Sequence, residues 1–169
     1  MKKNIAILLV FLMLSGCGYK FYGGGDSIDK NIVTVFVTNF VNTSSEANVE
    51  TAMRNSMVDA IIKDSRFKVV DSATNADAVI SGNIKSISIS TLSVGYGNVA
   101  KQARVAIVMD MNFVARQTGK SIWEIKNYST TGDYNITDTT VTDSQKQETI
   151  RGITRDASDR LYSLMLSGF

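Results

Sequence analysis

The spacing of apolar positions divides the chain into segments of two kinds, one with strand character and one with helical period. Ile32-Val33-Thr34-Val35-Phe36-Val37 is a β-branched run that predicts a well-buried strand. A polar zone follows, Thr38-Asn39 and then Asn42-Thr43-Ser44-Ser45. Val49, Met53, Met57, Ala60 and Ile61 then fall at steps of three or four. They make one apolar helix face, with Glu50, Arg54, Asn55, Asp59 and Lys63 off it. Thr43 and Glu46 have the spacing of a capping box at its start.

Phe67-Lys68-Val69-Val70 is a short strand candidate, and Asp77 to Val94 a long one. Ile80, Gly82 and Ile84 share one parity, whereas Ile87 and Ile89 take the other. A strand changes face only by inserting a residue, so the pattern predicts a bulge near Lys85-Ser86. Gly95-Tyr96-Gly97-Asn98 supplies a turn. The returning strand runs from about Ala103 to Arg116, with Val105, Ile107, Met109, Met111 and Phe113 alternating and Asp110 and Asn112 opposite them. That alternation predicts a sheet with one wetter face. Gln117-Thr118-Gly119-Lys120 turns the chain into a strand from Ile122 to about Thr131. Tyr134 to Thr142 has no apolar period and is expected as a loop. Ser144 with Gln147 offers a second capping box, before the stripe Ile150, Ile153, Ala157, Leu161 and Leu164 of a C-terminal helix.

Together these segments predict an α+β two-layer sandwich: a mostly antiparallel sheet of about four strands with two amphipathic helices on one face. No internal repeat interrupts it, so residues 31–169 are expected to form a single domain.

The N-terminus has another logic. Lys2 and Lys3 precede an apolar run from Ile5 to Leu14, too short to span a hydrocarbon core of roughly 30 Å. Small residues and a cysteine follow: Leu14-Ser15-Gly16-Cys17. This order is that of a secretory signal, residues 1–16, with its cleavage site. The last four residues resemble the lipobox of bacterial lipoproteins, which implies lipidation of Cys17. Residues 17–30 then form a tether, glycine-rich at Gly23-Gly24-Gly25 and expected to be flexible. Tyr19, Phe21 and Tyr22 within it either pack on the domain or meet a membrane or partner.

Composition narrows the chemistry. Removal of Lys2 and Lys3 with the signal leaves sixteen basic against sixteen acidic residues, so no overall field favours nucleic acid. Cys17 is the single cysteine, which rules out an internal disulfide. There is no histidine, which removes the commonest general base and the His-based triads, and there is no G-x-S-x-G motif. The chain is therefore read as not an enzyme, with no cofactor or metal.

The mature chain resembles the lipopolysaccharide-assembly lipoprotein family LptE. The resemblance rests on Cys17-Gly18-Tyr19-Lys20-Phe21, the strand ending in Asn39-Phe40, and the helix from about Ala47. It continues through Ala76-Asp77-Ala78, Val99-Ala100, Thr118-Gly119-Lys120 before Ile122-Trp123, and the closing run Arg155-Asp156-Ala157-Ser158-Asp159-Arg160-Leu161. It implies a lipid-anchored outer-membrane protein lodged in the lumen of a large LptD-type β-barrel, where it assists barrel assembly and delivery of lipopolysaccharide to the cell surface. Gly18 after the cysteine, in place of an Asp, agrees with an outer-membrane destination. Lipopolysaccharide is anionic, and the family is thought to contact it through basic residues near the hairpin turn and the last helix. The turn here carries Asn98, followed by Lys101 and Arg104, which become the candidate contacts. The other reading of that pair is solvated charge guarding a strand edge. A second functional reading is a lipoprotein that activates a peptidoglycan synthase or another envelope complex. The short tether favours a domain working close to its membrane instead.

Overall fold

The computed structural model describes residues 28–94, 100–136 and 142–168. Cys17, most of the tether and the turn at 95–98 lie outside the described residues. The elements are β1 (Thr34–Val37), β2 (Val41–Asn42), α1 (Val49–Asp64), β3 (Lys68–Val69), a 3-10 turn (Ala73–Asn75), β4 (Ala78–Val94), β5 (Ala100–Ala115), β6 (Ser121–Asn135) and α2 (Thr142–Ser167).

The sheet has six strands in the order β3-β1-β4-β5-β6, with β2 also on β4. Three long strands, β4, β5 and β6, form an antiparallel meander as expected. The remainder corrects the expectation of about four mostly antiparallel strands. β1 pairs in parallel with both β3 and β4, and β2 pairs in parallel with β4. Parallel pairing needs a crossover, and α1 supplies the one between β1 and β3. β2 and β3 are two residues each, too short to carry a readable period.

The expected bulge is present: the β4–β5 register shifts between Ile84 and Ser86. Before it, Ala78, Ile80 and Ile84 face the same core as Val105, Ile107, Met109, Met111 and Phe113, all of them buried; beyond it, Ile87 pairs with Ile107 and returns to that face. Both helices cover this face. Val49, Met53, Met57, Ala60 and Ile61 are buried from α1, as are Ile150, Ile153, Ala157 and Leu161 from α2. Met165 and Tyr162 complete the α2 stripe, while Leu164 is only partly covered. Ile28, at the end of the tether, is also packed into the core.

Two glycines set how closely the layers approach. A Cβ on Gly82 would meet the buried ring of Phe40, and one on Gly132 would meet Ile153 of α2. Phe40 fills the hole that Gly82 leaves in the core face. Adding the methyl there would force side chains off their rotamers, at a cost of about 1–3 kcal/mol. At the far end of α1, Tyr162 Oη donates to Asp64 Oδ2 at 2.9 Å, and its ring meets Phe67 edge-on. Burial and then this hydrogen bond hold the phenol protonated well above its ordinary range.

The expected caps are absent. Thr43 Oγ1 donates to the carbonyls of Ile84 and Lys85, so it extends β2 along β4 and does not cap α1. That helix starts instead after Asn48, whose backbone is left-handed. α2 starts at Thr142, which places Ser144 inside its first turn and rules out the second capping box. The loop expected over Tyr134 to Thr142 is contradicted at its start, and residues 137–141 of it lie outside the described residues. β6 continues to Asn135, and Tyr134 is buried opposite Ala103.

One carboxylate ties three elements together. Asp77 Oδ2 accepts from Val33 N (3.0 Å), Thr34 N (2.8 Å) and Thr34 Oγ1 (2.8 Å). Its own N–H returns to Thr34 O, and its carbonyl accepts from Arg116 N. Arg116 Nε donates to Ala76 O at 2.6 Å, closing the end of β5 onto the same corner. The Thr34 backbone bond, the Thr34 hydroxyl, the Val33 bond and the Arg116 charge lower the Asp77 pKa from its ordinary value. A depressed folded pKa stabilises the fold above the unfolded carboxylate range near about 4, and that stability is lost as pH falls through the folded pKa. Asp77→Ala should therefore lower the thermal midpoint most at neutral pH. The gap to the parent chain should narrow at pH 3 in thermal unfolding, and an equal gap at both pH values would contradict this role.

Candidate interaction surface

The face of the sheet opposite the helices is uncovered among the described residues, and its composition follows from the strand parity. After the bulge, Ser86, Ser88 and Ser90 point away from the core. The register aligns them in rows across the three long strands: Ser86 with Val108 and Ser129, Ser88 with Ala106 and Thr131, Ser90 with Arg104 and Asp133. The serines, Ser129 and Thr131 are exposed, while Ala106 and Val108 are half-buried between them. The result is a flat surface of hydroxyls with a shallow apolar centre.

Its charges are paired. Arg104 makes a two-pronged contact with Asp133, Nε to Oδ1 at 2.7 Å and Nη2 to Oδ2 at 2.8 Å. The hydrogen bonds and charge of this pair raise the Arg104 pKa and lower that of Asp133. Both groups are exposed, so the pair adds little stability and chiefly holds the guanidinium in place. Lower on the same face, Lys85 Nζ lies 2.8 Å from Asp110 Oδ2 and donates to Asn127 Oδ1. Asn127 N donates to Asp110 Oδ1 at 2.7 Å. The Lys85 and Asn127 bonds lower the Asp110 pKa. This cluster sits on a second register shift, where β6 inserts a residue opposite Asp110 and Asn127 has a positive φ of 54°.

A cleft of about 240 Å³ opens beside it, lined by Asn83, Asp110, Asn112 and Glu124. Asn83 Oδ1 is buried there without a hydrogen-bond partner. Most buried acceptors are satisfied, so an orphan at a surface cleft suits a donor arriving from outside.

Lys101 and Arg104 both lie on β5 near its start, and Lys101 is exposed. Arg104 is held by Asp133, a partner 29 residues away that sequence spacing does not reveal. No motif marks the open hydroxyl face as a site, although the Ser86-Ser88-Ser90 alternation against Ile87 and Ile89 carries its signal. No group of three or more potential metal-ligating residues occurs among the described residues, and no described helix is long and apolar enough to cross a membrane.

The sequence profile of the lipopolysaccharide-assembly family LptE matches residues 32–165. The chain belongs to the LptE family. The match takes in every strand and both helices apart from the last residues of α2, so the LptE assignment covers the whole described sandwich.

Solved structures share the fold at low identity. The rare lipoprotein B of Shewanella oneidensis is 18% identical, with a TM-score of 0.51 over 78% of this chain and 96% of that one. The PelC dodecamer of Paraburkholderia phytofirmans gives 12% and 0.53, over 84% and 92%. A minor lipoprotein of Acinetobacter baumannii gives 7% and 0.53, over 80% and 91%. None of the curated proteins matches the sequence significantly.

Proposed function

We propose that this LptE-family chain is an outer-membrane lipoprotein, anchored through Cys17, that assembles with and plugs an LptD-type β-barrel and so helps deliver lipopolysaccharide to the cell surface. The observation that carries the reading is the uncovered hydroxyl face of β4, β5 and β6 in a chain of this family. A plug in a polar lumen must present hydrogen-bonding groups to the wall without burying unpaired charge. Here the hydroxyls supply the first, and the Arg104–Asp133 and Lys85–Asp110 pairs meet the second. The buried acceptor at Asn83 adds a point for a donor from the wall. The function is binding and assembly, with no catalytic step. A Cys17 lipid would deliver and position the domain, while insertion in the barrel retains it.

Gentle affinity purification of the full-length chain from envelopes should recover a large heat-modifiable β-barrel. Recovery of a peptidoglycan synthase and no barrel would overturn the reading in favour of an enzyme-activating lipoprotein.

Direct contact with lipopolysaccharide belongs to the same proposal. Lys101 offers an exposed ammonium, and Arg104 presents a guanidinium whose fork is occupied by Asp133. Phosphate would have to compete with that carboxylate at Arg104, so Lys101 is the readier contact. Lys101→Glu combined with Arg104→Glu should weaken lipopolysaccharide binding by roughly ten-fold or more with the circular dichroism unchanged. Unchanged binding would remove the contact and leave the plug intact.

A further inference from the structure

The two long edges of the sheet are protected unequally. β6 forms one edge and carries Glu124, Lys126 and Asp133, together with the positive-φ bulge at Asn127. Charges and bulges of this kind discourage pairing with another strand. On the opposite edge, β1 and β2 pair with β4 only as far as Ile84, and Thr43 Oγ1 reaches Lys85 O. Beyond that point, residues 86–94 have β5 on one side and, among the described residues, no strand on the other.

This free edge reads Ser-Ile-Ser-Ile-Ser-Thr-Leu-Ser-Val, with no charge and no proline, over roughly 30 Å of extended chain. Ile89, Leu92 and Val94 are 45%, 43% and 60% exposed. Register shifts at Ile84/Ser86 and Thr91/Ser93 bound a regular run between them. An uncharged, regular and partly apolar edge of this length is a template for strand addition.

We infer that this edge of β4 pairs antiparallel with the same edge of a second copy of the chain. The run is self-complementary. With a twofold axis at Ile89, Ile89 of one copy faces Ile89 of the other, Ile87 faces Thr91, and Ser88 faces Ser90. Core-side residues then meet core-side residues, and hydroxyls meet hydroxyls across the open face. No like charges oppose each other, which is the usual obstacle to pairing identical strands. The pairing closes the free edge and shields the exposed Ile89 in copies whose edge has no other partner. The contact is narrow compared with the 1,200–2,000 Å² typical of stable interfaces, so the dimer forms in a concentration-dependent equilibrium.

Sedimentation velocity of the full chain in detergent micelles, over a wide concentration range, tests this directly. The parent chain should pass from monomer to dimer. Ile89→Lys places two ammonium groups face to face and should weaken association roughly ten-fold or more, with the thermal midpoint unchanged because Ile89 is exposed. Ile62→Lys, at a 59% exposed position of α1 away from this edge, should leave association as in the parent. Opposed residues in an antiparallel pair have Cα atoms about 4.5–5.5 Å apart, within disulfide range. Ile89→Cys should therefore form a covalent dimer on mild oxidation. A parent chain that stays monomeric throughout, an Ile89→Lys chain that associates like the parent, or an Ile89→Cys chain that cross-links only to a different protein would each overturn the inference.

Discussion

Asp77 sets the geometry on which the rest of the sheet depends. Its carboxylate holds the first residues of β1, while its backbone joins β1 to the start of β4 and receives the end of β5 through Arg116. A parallel β1 of four residues has few ladder bonds of its own, so this corner fixes where it lies along β4. Once β1 is placed, Phe40 reaches Gly82 and β2 follows the same edge to Ile84. The bulge after Ile84 then turns the isoleucines of β4 back onto the core side and the serines outward. The hydroxyl face follows from that switch, and the uncovered edge from the end of β2 pairing at Ile84.

The two faces of the sheet divide the labour between stability and contact. Helices α1 and α2 bury one face in a core that includes Met53, Met57, Met109, Met111 and Met165, all 1% exposed or less. Stability is thereby concentrated in one layer, which leaves the opposite face free to meet a partner at little cost to the fold. Paired exposed charges on that face, such as Arg104 with Asp133, add orientation more than stability. This separation suits the assembly role proposed for this LptE-family chain.

Much of the fold is legible in the sequence because the periods of single elements survive there. The β5 alternation, the helix stripes and the parity change at Lys85-Ser86 each depend only on local spacing. The sheet order did not survive, because β2 and β3 are two residues long and are stabilised by their neighbours. Both expected capping boxes failed for a related reason. Thr43 found backbone acceptors on β4, a partner about 40 residues away, and Ser144 was absorbed into a longer helix. At the candidate surface, the sequence singles out Lys101 and Arg104 as candidates by residue type and position alone. The Asp133 that occupies Arg104 is a cross-strand partner, visible only once β5 and β6 are in register.

The surface proposed to meet a barrel is the open face of β4, β5 and β6. A photo-activatable residue at Ala106, in the middle row of that face, measures it in living cells. The probe should give an adduct with a large outer-membrane β-barrel, and no such adduct should form from the same probe at Ile107, which is buried beneath the helices. Adducts from Ala106 with a peptidoglycan synthase alone, or a barrel captured equally from both positions, would contradict it.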